Sequence, residues 1–226
     1  LTAKGLEPGT LAMQTEIAAA CAPGHTAAVL SGPGFAAELE RGLPVALTLA
    51  SADAESGAAL QRALATPALR PYLSDDPAGA QLGGALKNVM AIACGAAIGA
   101  GLGESARAAL ITRGFAEMSR LAAARGARAA TLAGLSGLGD LTLTCTSAQS
   151  RNFSLGLAIG RGERAGAVLD EGGTYEGART ADVAVALAAE ADVETPIAEA
   201  VAALVAGRLS VAQAVDALFN RPLTRE

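Results

Sequence analysis

Lys87 is the residue whose setting most strongly suggests chemistry, because it is the only charged side chain between residues 77 and 103. The run from Leu82 to Cys94 around it is apolar on nearly every face of a helix, and such a helix is usually buried. Burial lowers the pKa of an ammonium from about 10.4 toward neutrality, which makes a lysine useful as a general acid or base. Asn88 beside it could hydrogen-bond a ligand without adding charge. The alternative, equally open from the pattern, is that Lys87 extends along the helix surface into solvent.

A second candidate lies between Leu135 and Cys145, where Asp140 follows a glycine-rich turn and opens a helix predicted over residues 138–145. Its ordinary role would be to cap that helix. Its functional role would be to pair with a buried cation such as Lys87 and to set the pKa of that cation. Thr144 comes one helical turn later, so both side chains could point into one cleft.

Arg151 is the third candidate, within the polar run from Thr146 to Asn152. A guanidinium offers a fixed fork of donors, and a helix N-terminus adds backbone N–H groups, so the two together suit a phosphate. Ser150 and Asn152 flank the arginine with further small polar groups. The competing interpretation is an ordinary surface arginine.

Three other segments carry weaker signals. The strand-to-helix turn from Ser31 to Ala36 (SGPGFA) could bring a glycine backbone close to a ligand, although most such turns are only turns. Lys4 is predicted at the end of a short strand, where ligands gather in open α/β folds. Glu176 lies in a glycine-rich segment before a helix and could accept a hydrogen bond from a ribose or simply be solvated.

Composition narrows the classes of function. Of the 226 residues, 51% are hydrophobic and only 3% aromatic, so a large core must be built mainly from Ala, Gly, Leu and Val. The net charge of −5 and the lack of a basic run argue against nucleic acid as the main partner, whereas a small anion remains possible. Three scattered cysteines and a single histidine predict no metal site and suit a reducing cytoplasm. A membrane span through Lys87 is less favoured, because the apolar stretch is mostly Ala and Gly.

The pattern of elements divides the chain near residue 76. Before it, strands predicted at residues 27–30, 44–50 and 70–73 alternate with helices beginning near Thr10, Phe35 and Ser51 or Asp53, which indicates an α/β layout. From residue 77 onward only helices are predicted, and the spacing Gly95-x-x-x-Gly99 predicts close helix packing. The predicted fold is therefore an α/β remnant of a doubly wound (Rossmann-like) sheet in residues 1–76, followed by a larger all-α domain in residues 77–226.

The first part is too short for the two βαβαβ halves of a complete dinucleotide-binding fold, and no GxGxxG motif follows a strand. The sequence also begins at Leu1, with neither an initiator methionine nor a signal-peptide layout. Both observations lead us to expect a fragment of a longer protein.

Taken in order along the chain, these segments resemble the bacterial type of NAD(P)-dependent glycerol-3-phosphate dehydrogenase. The resemblance runs from Lys4 to near the C-terminus, and ordered matches over that length are far more specific than any single motif. The matching runs begin at Lys4 (KGLE), Ser31 (SGPGFA), Gln81 (QLGGALKNVMAIA), Ala106 (ARAALITRGFAEMSRL), Gly137 (GLGDLTLTCTSAQSRN) and Tyr175 (YEGARTA).

The resemblance implies an oxidoreductase that interconverts sn-glycerol 3-phosphate and dihydroxyacetone phosphate with NAD or NADP and supplies glycerophospholipid synthesis. It implies that Lys87 is the proton acceptor, held and tuned by Asp140 with Thr144 and Lys4. It further implies a cytoplasmic homodimer formed through the helical domain. The implied substrate contacts are Lys4, Gly32, Gly34, Lys87, Asn88, Asp140, Ser150, Arg151 and Asn152, and the implied cofactor contacts are Lys4, Ala36, Arg151, Thr174 and Glu176.

Two departures from the family pattern bear on these expectations. Gly34 stands where this type commonly has a hydroxyl residue, so one side-chain hydrogen bond to the substrate would be lost or mediated by water. The N-terminal dinucleotide-binding portion, with the glycine fingerprint and the residue that selects NAD or NADP, lies outside the matching runs. We therefore expect no NAD-dependent turnover from this chain by itself.

Two alternatives remain open at this point. One is a non-catalytic helical module that dimerises or binds a small anion. The other is a dehydrogenase of similar architecture that acts on 6-phosphogluconate or a hydroxy acid, although the ordered KN, GD and SRN motifs favour glycerol 3-phosphate.

Overall fold

The computed structural model describes residues 1–222. Up to residue 76, three strands alternate with three helices, which confirms the predicted α/β character of this part. Asp53 caps the third helix by accepting a hydrogen bond from the Ser56 backbone N–H at 2.8 Å. The elements are α1 (Gln14–Cys21), β1 (Ala28–Ser31), α2 (Ala36–Glu40), β2 (Val45–Ser51), α3 (Ala54–Leu64) and β3 (Leu69–Ser74).

The three strands form one sheet in the order β1-β2-β3. Strand β2 runs parallel to β3, with Val45 opposite Leu69, as in a doubly wound sheet. It runs antiparallel to β1, with Ala28 opposite Ser51. The connection from β1 to β2 holds only the five-residue α2, which is too short for the crossover that a parallel pair needs.

The first residues lie along β1 without forming a regular strand. The Leu30 backbone N–H donates to the Leu1 carbonyl at 2.9 Å, and the Leu1 nitrogen donates to the Ala28 carbonyl at 2.7 Å. The predicted start of α1 at Thr10 is wrong, because the Thr10 hydroxyl bonds the Glu7 carboxylate and α1 begins only at Gln14.

Residues 77–222 are helical, as predicted. A single π-helical turn, Leu135–Gly139, interrupts the series, and two short helices that the sequence pattern did not predict, α6 and α9, fill connections. The helices are α4 (Pro77–Gly99), α5 (Gly103–Ala124), α6 (Ala129–Leu132), α7 (Asp140–Thr146), α8 (Arg151–Gly160), α9 (Ala165–Asp170), α10 (Glu176–Ala191), α11 (Pro196–Val205) and α12 (Val211–Phe219).

Helix α4 is the centre of the core. Residues 79–97 are all buried, and α5, α7, α8 and α10 pack around them. By length and composition α4 could cross a membrane, but 83% of its most apolar window is buried inside the protein. Its apolar character is therefore accounted for by its place in the core.

Close packing of α4 on α8 depends on glycines in both helices. A Cβ at Gly95 would lie 2.1 Å from the Phe153 carbonyl oxygen, and a Cβ at Gly156 would lie 2.1 Å from the Ile92 carbonyl oxygen. Each helix thus presents bare backbone to the other, as the Gly95-x-x-x-Gly99 spacing predicted. This contact fixes the position of α8, which carries Arg151, relative to α4, which carries Lys87.

Candidate active site

Lys87 lies in the middle of α4 with only 7% of its side chain exposed. Its ammonium donates hydrogen bonds to Asp140 Oδ1 and, at 2.8 Å, to Thr144 Oγ1. Thr144 Oγ1 also lies 3.3 Å from Asp140 Oδ1. The lysine therefore does not extend into solvent. The structure brings Lys87 of α4 together with Asp140 and Thr144 of α7, which follow it in the sequence by 53 and 57 positions.

Lys4 brings a second ammonium to the same carboxylate. Its Nζ lies 2.9 Å from Asp140 Oδ2, so each oxygen of this buried carboxylate binds one lysine. Lys4 is 22% exposed and forms the solvent-facing side of the cluster. These two are the only lysines in the chain, and all its other basic side chains except His25 are arginines. Lysine can release its proton under physiological conditions, whereas arginine cannot.

The pKa of Lys87 is lowered from 10.5 to about 8, chiefly because burial disfavours the charged ammonium. The negative charge of Asp140 opposes this shift, and the positive charge of Lys4 adds to it. At a pKa of about 8, both protonation states are populated near neutral pH, which is the condition for efficient general acid–base catalysis.

Asp140 is placed by the π-helical turn that leads into α7. The turn packs backbone to backbone against α4, since a Cβ at Gly83 would lie 2.5 Å from the Ser136 carbonyl oxygen. No side-chain cap is formed at the N-terminus of α7, and the Asp140 carboxylate instead bonds the two lysines. The capping interpretation of Asp140 is therefore wrong. Such π-helical turns often occur at functional sites.

The Ser150–Asn152 segment starts α8. Ser150 Oγ accepts from the Phe153 backbone N–H at 3.2 Å and caps the helix. Arg151, the first residue of α8, is exposed. Asn152 is buried, and its Oδ1 accepts from the Gly177 backbone N–H at 3.0 Å, so its carbonyl oxygen is already engaged by α10.

Asn88 turns away from the Lys87 cluster toward α10. Its Nδ2 donates to Glu176 Oε2 at 3.2 Å. A Cβ at Gly177 would lie 2.5 Å from the backbone carbonyl oxygen of Asn88, so only glycine allows the start of α10 to approach α4 this closely. The sequence left open whether Glu176 contacts a ligand or is simply solvated. In the structure its side chain is half-buried in this junction.

The turn after β1 adjoins the same region. Gly32 has φ +147°, a conformation that favours glycine, and a Cβ there would lie 3.2 Å from Leu47 Cα. A Cβ at Gly139, the residue before Asp140, would lie 3.5 Å from Pro33 Cγ. At Gly34 a Cβ would point at Val45, 2.7 Å from its Cγ1, so a hydroxyl side chain at this position would require Val45 to move.

Ser31 is a polar residue of this region that the sequence did not single out as a ligand contact. Its hydroxyl is buried and has no hydrogen-bond partner among residues 1–222. A Cβ at Gly84, one turn before Lys87, would lie 2.7 Å from Ser31 Oγ and 3.4 Å from Lys4 Cγ. The signal available was the serine that opens the SGPG turn.

Ala36 and Thr174 lie at the margin of the candidate site. Both are exposed, and neither side chain joins the hydrogen-bonded cluster around Asp140 in the described part of the chain. Lys4, on the solvent-facing side of that cluster, and the exposed Arg151 at the start of α8 supply accessible positive charge, and the half-buried Glu176 supplies a hydrogen-bond acceptor. This donor set, with the unpartnered Ser31 hydroxyl, fits a ligand that carries phosphates and ribose hydroxyls, which is the chemistry of NAD and NADP.

Within residues 1–222, no three His, Cys, Asp or Glu side chains are grouped so as to hold a metal ion. The charged groups that converge near Lys87 are two ammonium groups and one carboxylate.

Family profiles match most of the chain. The profile described as NAD-dependent glycerol-3-phosphate dehydrogenase C-terminus matches residues 76–216, and the corresponding N-terminus profile matches residues 1–57. The glycerol-3-phosphate dehydrogenase [NAD(P)+] of Cereibacter sphaeroides is 57% identical over 223 residues, which cover 99% of this chain and 72% of that protein. The enzyme of the same name from Paracoccus denitrificans is 57% identical over 224 residues and is covered to 70% of its length.

Solved structures agree with these matches. Glycerol-3-phosphate dehydrogenase from Coxiella burnetii superposes with a TM-score of 0.92 at 40% identity, covering 97% of this chain and 68% of that one. The Saccharomyces cerevisiae enzyme superposes with a TM-score of 0.84 at 24% identity, covering 96% and 66% of the two chains, and shows the shared fold.

Proposed function

The chain belongs to the NAD-dependent glycerol-3-phosphate dehydrogenase family of oxidoreductases, with NAD or NADP as cofactor, and from this premise we propose that its site interconverts sn-glycerol 3-phosphate and dihydroxyacetone phosphate. The observation that carries the proposal is the buried Lys87, paired with Asp140 and Thr144 and with a pKa lowered to about 8. A hydroxyl group that is oxidised must lose a proton, and this ammonium is poised to exchange one.

Lys87 acts as the proton-transferring residue. In oxidation, its neutral amine accepts the proton of the C2 hydroxyl. In reduction, its ammonium polarises the C2 carbonyl and returns the proton to the oxygen. A bound nicotinamide cofactor would supply the hydride chemistry, while the residues of this chain position the substrate and move the proton.

Asp140 and Thr144 hold the Lys87 Nζ in place, because both bond it directly. Asp140 also neutralises part of the charge of the two lysines, while Lys4 keeps the pKa of Lys87 from rising toward its ordinary value. The opposing effects of Asp140 and Lys4 on the pKa of Lys87 therefore partly cancel, and Lys87 stays able to change its protonation state.

The substrate is bound between the start of α8, the β1–α2 turn and α4. Arg151 bonds the phosphate, and the Asn152 amide adds N–H donors. Gly32 and Gly34 allow the backbone of the turn to approach the ligand, and Ser150 holds the start of α8. The remaining proposed substrate contacts are Lys4, Lys87, Asn88 and Asp140.

The cofactor is bound on the exposed side of the same cluster. We assign Lys4 and Arg151 to its anionic groups and Glu176 to a hydroxyl. Ala36 and Thr174 line the margin of this region. Exposure of Ala36, Arg151 and Thr174 supports the assignment, because a large ligand could reach them.

Other features of the family description are proposals here as well. We propose that the division at residue 76 separates a dinucleotide-binding part from the substrate-binding part, which agrees with the start of α4 at Pro77. We further propose a cytoplasmic homodimer without a membrane span, which supplies glycerol 3-phosphate for glycerophospholipid synthesis.

The proposal is tested by Lys87→Ala in the full-length protein. We expect kcat to fall by about 10²–10⁴, the usual contribution of a positioned acid–base group, while the Kd of the cofactor stays within about twofold. Steady-state kinetics and fluorescence titration of the reduced cofactor measure the two quantities. Arg62→Ala, an exposed change on α3, is the control that keeps normal turnover. A Lys87→Ala protein with normal kcat would refute the assignment.

A further inference from the structure

The start of α10 is held by two asparagines that each follow a charged residue of the proposed site. We propose that Asn88 and Asn152 are positioning residues that fasten the first turn of α10 and thereby couple cofactor binding to substrate binding. The inference rests on the proposed function, because it takes Glu176 to border the cofactor and takes the neighbours of the two asparagines, Lys87 and Arg151, to contact the substrate.

Helix α10 has no cap of its own. The N-cap residue, Tyr175, makes no side-chain capping hydrogen bond, although the first turn of any helix leaves backbone N–H groups without partners. Asn152 supplies the missing acceptor from another helix, since its Oδ1 receives the Gly177 N–H at 3.0 Å. Asn152 is 7% exposed, so no water readily replaces it.

The chemistry of the partners fixes how both amides are oriented. A backbone N–H can only donate, so Asn152 must present its oxygen to Gly177 and keeps its NH₂ group for a ligand. A carboxylate accepts hydrogen bonds, so Asn88 presents its side-chain NH₂ to Glu176 and keeps its side-chain oxygen available for a ligand. The Asn152 donors suit phosphate oxygens, and the Asn88 acceptor suits a hydroxyl.

The junction is tight enough to transmit a displacement. The start of α10 contacts α4 directly, because a Cβ at Gly177 would lie 2.5 Å from the backbone carbonyl oxygen of Asn88. The same Cβ would lie 2.8 Å from the side-chain oxygen of Asn152, Oδ1. Thr180 Oγ1 bonds the Glu176 carbonyl at 2.8 Å, and a Cβ at Gly5 would lie 3.8 Å from the same hydroxyl. The first turn of α10 therefore cannot shift without pressing on the segments that carry Lys87 and Arg151.

The segment that leads into α10 has little else to hold it. Residues 171–174 are exposed. Within residues 1–222, the hydrogen bonds that tie residues 173–177 to other helices are those from Asn88 to Glu176 and from Gly177 to Asn152. A cofactor that bonds Glu176 consequently orders the two asparagines, and a substrate that bonds the asparagines orders Glu176. Linkage requires the two effects to be equal in size.

The test measures this coupling with a pair of ligands that cannot react, the reduced cofactor and sn-glycerol 3-phosphate. The Kd of the reduced cofactor is determined by fluorescence titration of the complete protein, with and without saturating glycerol 3-phosphate. The ratio of the two constants is the coupling factor. We expect it to be about fivefold or more in the unaltered protein, the lower end of typical coupling between sites.

Two single variants and their combination test the Asn88–Glu176 hydrogen bond, and the combination exchanges its donor and its acceptor. Asn88→Asp sets a carboxylate against a carboxylate, so the coupling factor falls toward one. Glu176→Gln keeps an acceptor for the Asn88 amide, so coupling is retained although cofactor affinity changes. The double variant N88D/E176Q lets the new amide donate to the new carboxylate, and coupling returns. Asn88→Ala, which adds no charge, gives the same loss as Asn88→Asp, and the exposed Glu190→Gln on the same helix is the matched control.

Asn152 is tested in the protein without any ligand. Asn152→Ala removes the acceptor of the Gly177 N–H, so hydrogen exchange of peptides that span residues 175–179 speeds up by about tenfold or more, the expected change for losing about 1.4 kcal/mol of protection. Asn152→Asp keeps the acceptor and restores the protection, while its lost NH₂ group weakens glycerol 3-phosphate binding.

A coupling factor that stays unchanged in both Asn88 variants, or that is one in the unaltered protein, overturns the inference. Unaltered exchange in Asn152→Ala overturns the capping role. These outcomes differ from failure of the proposed function, in which the two ligands would not bind at all or Lys87→Ala would keep normal turnover.

Discussion

Two buried ionisable groups on neighbouring helices, Lys87 on α4 and Glu117 on α5, are perturbed by the same physical cause and have different surroundings. Burial lowers the pKa of Lys87 to about 8 and raises the pKa of Glu117 to about 7. Each group is therefore poised to titrate near neutral pH. The two groups differ in the side chains and backbone groups that surround them, and this difference distinguishes a residue of the candidate active site from a residue that only supports the fold.

Glu117 binds backbone rather than an opposite charge. Its two carboxylate oxygens accept from the Ile197 N–H at 2.7 Å and the Ala198 N–H at 3.3 Å, so it caps α11 from outside. The N-cap residue Thr195 is buried, and its hydroxyl has no hydrogen-bond partner among the described residues 1–222, so it does not provide this cap. Glu117 is thus an element of the fold, joining α5 to α11.

Lys87 instead faces a shared carboxylate, a hydroxyl and a second lysine that reaches solvent. The difference shows that a perturbed pKa by itself does not mark an active site. A site is indicated where the perturbed group meets other charged side chains on a path to solvent. Changing each group should therefore affect activity in one case and only stability in the other.

The largest expected effect comes from Asp140→Asn. The change leaves two lysines without their carboxylate, and breaking a buried ion pair typically costs about 3–5 kcal/mol of unfolding free energy. We also expect kcat to fall at least about 100-fold, because Lys87 loses the group that holds it. Urea denaturation and steady-state kinetics measure the two effects. The exposed Asp182→Asn on α10 is the control, and a protein that keeps both stability and kcat would contradict this account of Asp140.

Glu117→Gln should alter stability alone. An acid whose pKa is raised in the folded state binds more protons when folded, so its stability contribution is complete below the unfolded pKa of about 4.5 and is lost as pH rises through about 7. Gln carries no charge at either pH. We therefore expect the variant to match the unaltered protein near pH 5 and to exceed it by roughly 1–3 kcal/mol near pH 8.

Thermal or urea unfolding at the two pH values measures this difference. The kcat of Glu117→Gln should stay within about twofold of normal, because the Glu117 carboxylate accepts its hydrogen bonds from the α11 backbone and not from the Lys87 cluster. An equal effect at pH 5 and pH 8 would contradict the assignment of a raised pKa, and a large loss of kcat would contradict the separation of scaffold from site.

The smallest effect is expected from Lys4→Met. Lys4 lowers the pKa of Lys87 through its positive charge, so removing it should move the midpoint of the pH–rate profile for oxidation to higher pH. The plateau rate also falls in so far as Lys4 contacts substrate or cofactor. A midpoint that stays in place or moves to lower pH would show that the two lysines do not interact electrostatically.

Much of the site could be predicted because its residues stand out in the sequence. A lone charge in an apolar helix must be paired or exposed, and the motif order supplied Asp140 and Thr144 as partners for Lys87. Strand β2 was predicted at residues 44–50, within one residue of its observed ends, and the apolar helix around Lys87 was predicted as well, since alternation and continuous apolar character are strong patterns. Interactions set by tertiary structure could not be read in this way.

Asn152 illustrates such an interaction. Its carbonyl oxygen is bound to Gly177, 25 residues away, which no local pattern reveals. Glu117 lies on the buried face of α5 beside Met118 and Leu121, and that apolar surrounding was the available signal. The four-residue α6 is too short to show a helical period, and the π-helical turn before Asp140 depends on the close approach of Gly83.

The most direct test of the central claim, that Lys87 transfers the proton, is rescue of Lys87→Ala by small primary amines. An amine that enters the space left by the lysine side chain can accept the C2 hydroxyl proton in its place. We expect the oxidation rate to rise with amine concentration and to follow the fraction of neutral amine as pH changes. Rescue by a quaternary ammonium of similar size, which has no proton to exchange, or no dependence on the neutral amine would contradict the claim.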